Sequence, residues 1–138
     1  MKNEKTLKII LVITGLIAII VGGAILLMPV AFYLTNGIEL SGNISLLSEI
    51  RAPGGALLTC GILIILGAFF SELTFTSILV ATLIFCSYGL SRIISIIVDG
   101  MPGETLIQAA VLEITIGLVC AFALSKYLMV AEQTGQKI

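Results

Sequence analysis

The sequence predicts an all-α integral membrane protein, a bundle of four antiparallel transmembrane helices in one domain, 1–138. Three observations predict it. Hydrophobic residues make up 59% of the chain and charged residues only 11%, with a mean hydropathy of +1.22. A soluble domain carries about 25% charged residues, so this chain has too little polar surface to face water. Four apolar stretches run for roughly 20 residues each, the length that crosses a bilayer core as a helix. The segments between them hold the Gly, Pro and Asn that punctuate a chain.

The first helix is expected over 9–28, twenty residues without a charge, ending at Pro29. Lys2, Lys5 and Lys8 precede it and resemble the basic start of a signal peptide. The apolar run exceeds the roughly 7–15 residues of a signal core, so an uncleaved membrane helix is expected. Residues 30–48 form a more polar connection, with Asn36-Gly37, Glu39 and Ser41-Gly42-Asn43. Within it, 44–50 is expected as a short interfacial helix with Asn43 as its N-cap.

The second helix is expected over 51–70, with Pro53 near its start. Pro53 either occupies a first turn, where a missing N–H does little harm, or kinks a helix that begins earlier. Both readings stand at this point. Ser71-Glu72-Leu73-Thr74 reads as a tight turn leading to a third helix over 75–98. Asp99-Gly100-Met101-Pro102-Gly103-Glu104 breaks the chain before a fourth helix over 105–129 and a polar tail from 131.

Lys and Arg near helix ends set orientation in a membrane. Lys2, Lys5 and Lys8 precede the first helix, and Lys126 and Lys137 flank the end of the last. Four crossings bring these to one side, so both termini are expected in the cytoplasm. A net charge of −1 without a basic run argues against nucleic acid as a partner, because phosphate binding needs clustered cations. Cys60, Cys86 and Cys120 all lie in apolar runs, and the chain has no His. They read as small packing residues, with no disulfide framework, metal site or cofactor expected. The recurrence Thr14-Gly15-Leu16, Thr59-Cys60-Gly61 and Thr115-Ile116-Gly117 reads as chance or helix packing.

Five charged residues fall near one end of the second to fourth helices: Glu49, Arg51, Arg92, Asp99 and Glu113. Arg92 precedes Asp99 by seven residues, about 10 Å of helix, and Glu113 lies about 12–13 Å into the last helix. Similar depth on successive helices predicts an intramembrane salt bridge, the least costly way to hold either charge in lipid. Tyr88, Arg92, Ser95 and Asp99 share one helix face. Ala109, Glu113, Gly117, Ala121 and Ser125 recur every four residues, a small-residue ridge that turns Glu113 into the bundle.

The runs Ser48-Glu49-Ile50-Arg51-Ala52-Pro53-Gly54-Gly55 and Gly89-Leu90-Ser91-Arg92, followed by Asp99-Gly100-Met101-Pro102, carry a resemblance. Over most of its length the chain resembles the bacterial four-helix membrane proteins grouped as domain of unknown function 4345. The resemblance covers the Arg-Ala-x-Gly-Gly start of helix two, the Gly-x-x-Arg of helix three, the Asp-Gly-x-Pro turn and a glutamate in helix four. It picks out Glu49, Arg51, Gly54, Gly55, Gly89, Arg92, Asp99, Gly100 and Glu113, with Pro53 as a departure. It implies a fold and a bacterial inner-membrane location, and no established activity.

Two readings of the charges follow. In one, Glu49, Arg51, Tyr88, Arg92, Asp99 and Glu113 line an outward-facing site for a lipid or small amphipathic ligand. In the other, the cluster only locks helices together, with Gly54, Gly55, Gly89 and Gly117 as packing positions, in a structural or accessory subunit. A small transporter component, built by oligomerising, is a third. The partners expected are the lipid bilayer, such a ligand, and a homo-oligomer or membrane partner protein. No catalytic motif occurs, so enzymatic activity is not expected.

Overall fold

The computed structural model describes residues 2–40 and 42–134. Among them five helices follow one another: α1 (Lys2–Leu27), α2 (Pro29–Thr35), α3 (Ile44–Phe69), α4 (Ser71–Asp99) and α5 (Glu104–Thr134). No strand occurs among the described residues. α1, α3, α4 and α5 are each long and apolar enough to cross a membrane, and they pack as the predicted antiparallel bundle. At 26, 26, 29 and 31 residues, these helices are about 39–47 Å long. A bilayer core is only about 30 Å thick, so every one overshoots it or tilts.

Several boundaries differ from the sequence expectation, each for a local reason. α1 starts at Lys2, with Glu4 in its first turn, where a carboxylate complements the helix dipole. The connection 30–48 is not wholly irregular: after a break at Met28 (φ −131°, ψ 51°), Pro29 opens α2 from its N-terminal end. Proline suits that position because the first N–H of a helix has no intrahelical partner to lose. Gly37, at φ 74°, then turns the chain out of α2.

Residues 44–50 are not a separate interfacial helix. α3 runs unbroken from Ile44 through Pro53 to Phe69. Asn43 caps it, its side-chain oxygen accepting from the backbone N–H of Ser45 at 3.0 Å and of Leu46 at 3.3 Å. Helix two therefore begins before Pro53, which leaves the Glu49 carbonyl without its usual i+4 donor.

The expected turn at 71–74 is the first turn of α4. Phe70 alone separates α3 from α4, its N–H donating to the Leu66 carbonyl at 2.9 Å. Thr74 ties the corner by donating its hydroxyl to the Gly67 carbonyl at 2.9 Å. At the far end, helix continues to Thr134, and residues 135–138 of the predicted tail lie outside the described residues.

Helix pairing is set by glycine. Gly15 and Gly22 on α1 meet Gly61 and Gly54 on α3, seven residues apart on each strand of an antiparallel seam. A Cβ on Gly61 would lie 2.8 Å from the Ile19 backbone N and 2.9 Å from the Gly15 carbonyl. One on Gly22 would lie 2.8 Å from the Gly54 carbonyl and would strike the Leu58 backbone N. α4 and α5 use the same device more sparingly, with Gly89 against Ile114 and Gly117 against Cys86. α3 and α4 meet near their turn, where Gly67 accommodates Ser77 and the Ser77 hydroxyl donates to the Leu63 carbonyl at 2.7 Å.

Two apolar clusters join the pairs. Leu11, Ile64, Ala68, Ile78, Ala81 and Cys120 form one, near the end that holds the chain termini. Ala18, Leu57 and Phe85 form the other at mid-bundle, with Ile116 and Tyr88 against them. Beyond that level, toward the loops at 36–43 and 100–103, Ile44, Leu90, Ile94, Ile97 and Val98 are all exposed. Exposed apolar side chains occur at the terminal end as well, among them Ile9, Phe69, Phe70 and Phe122, so an apolar outer surface runs the length of the bundle.

Adjacent glycines test the seam. Gly22→Ala should destabilise the protein by about 1–3 kcal/mol through overpacking. Gly23, whose added Cβ meets nothing within 4 Å, should tolerate Ala or gain up to ~1 kcal/mol from helix propensity. Thermal unfolding in detergent reads both. Equal shifts for the two variants would refute a seam built on close backbone approach.

Candidate functional site

The loop end carries the charges singled out in the sequence, Glu49, Arg51, Arg92, Asp99 and Glu113. α4 brings Arg92 to its α5-facing side, one turn beyond Gly89, where the missing side chain lets the two helices close up. α5 supplies Glu113 from the turn beside Ile114, which packs on that glycine. Arg92 Nε donates to Glu113 Oε2 at 3.3 Å. The side chains are 36% and 17% exposed, respectively. The ion pair expected from the sequence is present, then, as one monodentate contact that water or lipid can reach.

The geometry leaves capacity on both partners. A guanidinium carries five N–H donors in a planar fork. Among the described residues only the Nε of Arg92 has a protein partner. Oε1 of Glu113 likewise has none among them. The Tyr88 side chain lies one turn from Arg92, within electrostatic range of Glu113, Tyr33, Arg92 and Cys60.

The other sequence candidates are placed apart. Arg51 donates from Nη1 to the Leu26 carbonyl near the C-terminus of α1. That carbonyl belongs to the last turn, whose acceptors lack intrahelical donors, and a cation there also suits the helix dipole. Arg51 thus closes α1 onto α3 rather than joining the Arg92–Glu113 pair. Asp99 accepts from the Ser95 hydroxyl at 3.1 Å, one turn back on its own helix. Glu49 is exposed, with no ion pair among the described residues.

Of the glycines, Gly54, Gly89 and Gly117 all sit where a Cβ would crowd a neighbour. Gly55 does not, since its Cβ would meet only Leu26 Cδ1 at 3.8 Å. Gly15, Gly22 and Gly61 carry as much of the packing, and the signal for them was the shared seven-residue spacing with Gly54. An open apolar groove of about 550 Å³ lies between α1 and α5, lined by Ile17, Val111, Leu112, Ile116 and the more polar Gln108 and Thr115. Neither Arg92 nor Glu113 lines it.

Fold and site together define a four-helix membrane bundle with glycine-packed helix pairs and one ion pair between its last two helices. A family model described as domain of unknown function (DUF4345) matches residues 6–124, and the chain belongs to that family. No curated protein and no solved structure matches it.

Magnitude decides how much the ion pair holds the fold. Pairs exposed to water are worth about 0.2–1 kcal/mol; this pair is part-buried, and its single long contact puts it near the top of that range. A double-mutant cycle of Arg92→Gln and Glu113→Gln, read by unfolding in detergent, should give a coupling of about 1 kcal/mol or less. A coupling near 3 kcal/mol would make the pair a principal lock between α4 and α5.

Proposed function

We propose that this chain is a non-enzymatic, multi-pass protein of the bacterial inner membrane that binds a small amphipathic molecule or lipid head group at Arg92 and Glu113. The observation that carries the reading is the unspent guanidinium fork of Arg92, held in place by Glu113 yet accessible. A group retained only to glue helices would spend its donors on the protein, because unpaired charge in a low-dielectric layer is costly. Tyr88 adds a hydroxyl that can donate or accept.

Depth supports the same reading. Centred on a core of about 30 Å, α4 and α5 would project some 6–8 Å at each end. Arg92 and Glu113 would then sit about 4–6 Å inside the hydrocarbon, just below the lipid head groups. The pair is on this view an intramembrane salt bridge near the interface. Lys5, Lys8 and Lys126 flank the opposite end, which by the positive-inside rule supports a cytoplasmic side for both termini. The site faces outward.

Native mass spectrometry of the gently purified protein tests the binding. Wild type should retain lipid or another amphiphile, and Arg92→Ala should lose most of it while unfolding within a few degrees of wild type. An unchanged profile of retained molecules in Arg92→Ala would leave the pair a packing device in an accessory subunit. Orientation is tested separately, in a cysteine-free background on intact cells. A membrane-impermeant maleimide should label Glu104→Cys directly and Lys5→Cys only after permeabilisation.

A further inference from the structure

The site is neutral as a pair, and both partners have room for another bond. Arg92 offers its terminal Nη groups, which can give two parallel hydrogen bonds to a phosphate or carboxylate. Glu113 offers Oε1, an acceptor suited to an ammonium. Other charges at the loop end are mostly acidic: Glu39, Glu49, Asp99 and Glu104, against Arg51, which is committed to the Leu26 carbonyl.

These facts discriminate among ligand charges. A purely anionic head group would satisfy Arg92 but leave the site with a net negative charge, beside an acidic rim that repels it. A purely cationic one would satisfy Glu113 and face the guanidinium, leaving a net positive charge. Either excess is penalised where the dielectric is low. A dipolar group pairs both partners and keeps the site neutral.

We infer that the head group bound at Arg92 and Glu113 is zwitterionic, an anionic phosphate seated on the Arg92 fork with a cationic amine against Glu113, as in a phosphoethanolamine lipid. The inference rests on the binding reading above and names the class of ligand. Apolar side chains exposed at the same level of the two helices, Leu90, Ile93 and Ile94 on α4 and Val111 and Leu112 on α5, supply the surface against which acyl chains lie.

The full-length protein, delipidated in detergent, is offered phosphatidylethanolamine, phosphatidylglycerol and diacylglycerol with identical acyl chains, and bound lipid is counted by native mass spectrometry. Wild type should prefer phosphatidylethanolamine over each of the others by roughly tenfold in affinity. Glu113→Gln, which leaves Arg92 as an unpaired cation, should reverse the preference toward phosphatidylglycerol. Glu113→Asp, which keeps the charge, should preserve the wild-type order and shows that the glutamine effect is not misfolding.

Equal retention of phosphatidylethanolamine and phosphatidylglycerol by wild type, with both lost in Arg92→Gln, overturns the zwitterion and keeps the binding site. Retention of diacylglycerol as strong as that of phosphatidylethanolamine overturns it too. Glycerophosphoethanolamine binding as tightly as the lipid assigns a soluble source and overturns the lipid assignment. Failure of wild type to retain any of them beyond what Arg92→Gln retains overturns the binding reading itself.

Discussion

Close approach of two backbones holds this molecule together. Lipid tails are as apolar as leucine, so helices in a bilayer gain little from hydrophobic burial against each other and associate through packing and polar contacts. Gly15 and Gly22 against Gly61 and Gly54 let α1 and α3 come within reach of each other's main chain along two turns of seam. Everything else follows from that pairing. The seam sets where the C-terminus of α1 lies, hence where α2 begins and why the Leu26 carbonyl is within reach of Arg51.

A second constraint orders the bundle along its axis. Polar side chains that tie helices to one another sit low, near the termini: Ser77 on the Leu63 carbonyl, Thr74 on the Gly67 carbonyl, and Thr14 with Cys120, whose Oγ1 and Sγ are 3.8 Å apart. Phe75 stacks on Tyr127 at the same end, with ring centroids 6.3 Å apart. Among the described residues the loop end has fewer such ties, and the Arg92–Glu113 pair there is part-buried. Side-chain ties between helices are thus concentrated at one end, and the Arg92–Glu113 pair lies toward the other.

The four crossings were legible because hydrophobic run length is a direct physical requirement of the bilayer. The Arg92–Glu113 contact was legible for a related reason, since two opposite charges at one depth on adjacent helices have few better partners. Boundaries were less so. Pro29 read as a stop and is a start, because proline is equally suited to both sides of a helix break. Residues 44–50 read as a separate piece because Pro53 obscured a helix that passes through it. Arg51 was grouped with the charge cluster by position along the chain. Its carbonyl partner belongs to a helix 25 residues earlier, and no spacing rule points to a backbone acceptor.

Pro53 has a mechanical side. It interrupts the α3 hydrogen-bond ladder immediately before Gly54, the last tightly packed residue of the seam. Ahead of that point α3 is largely exposed, and behind it the helix is clamped to α1. α3 thus loses one backbone hydrogen bond just where its close packing against α1 ends. Ahead of that point Arg51, hydrogen-bonded to the Leu26 carbonyl, ties the exposed first turns of α3 to the end of α1.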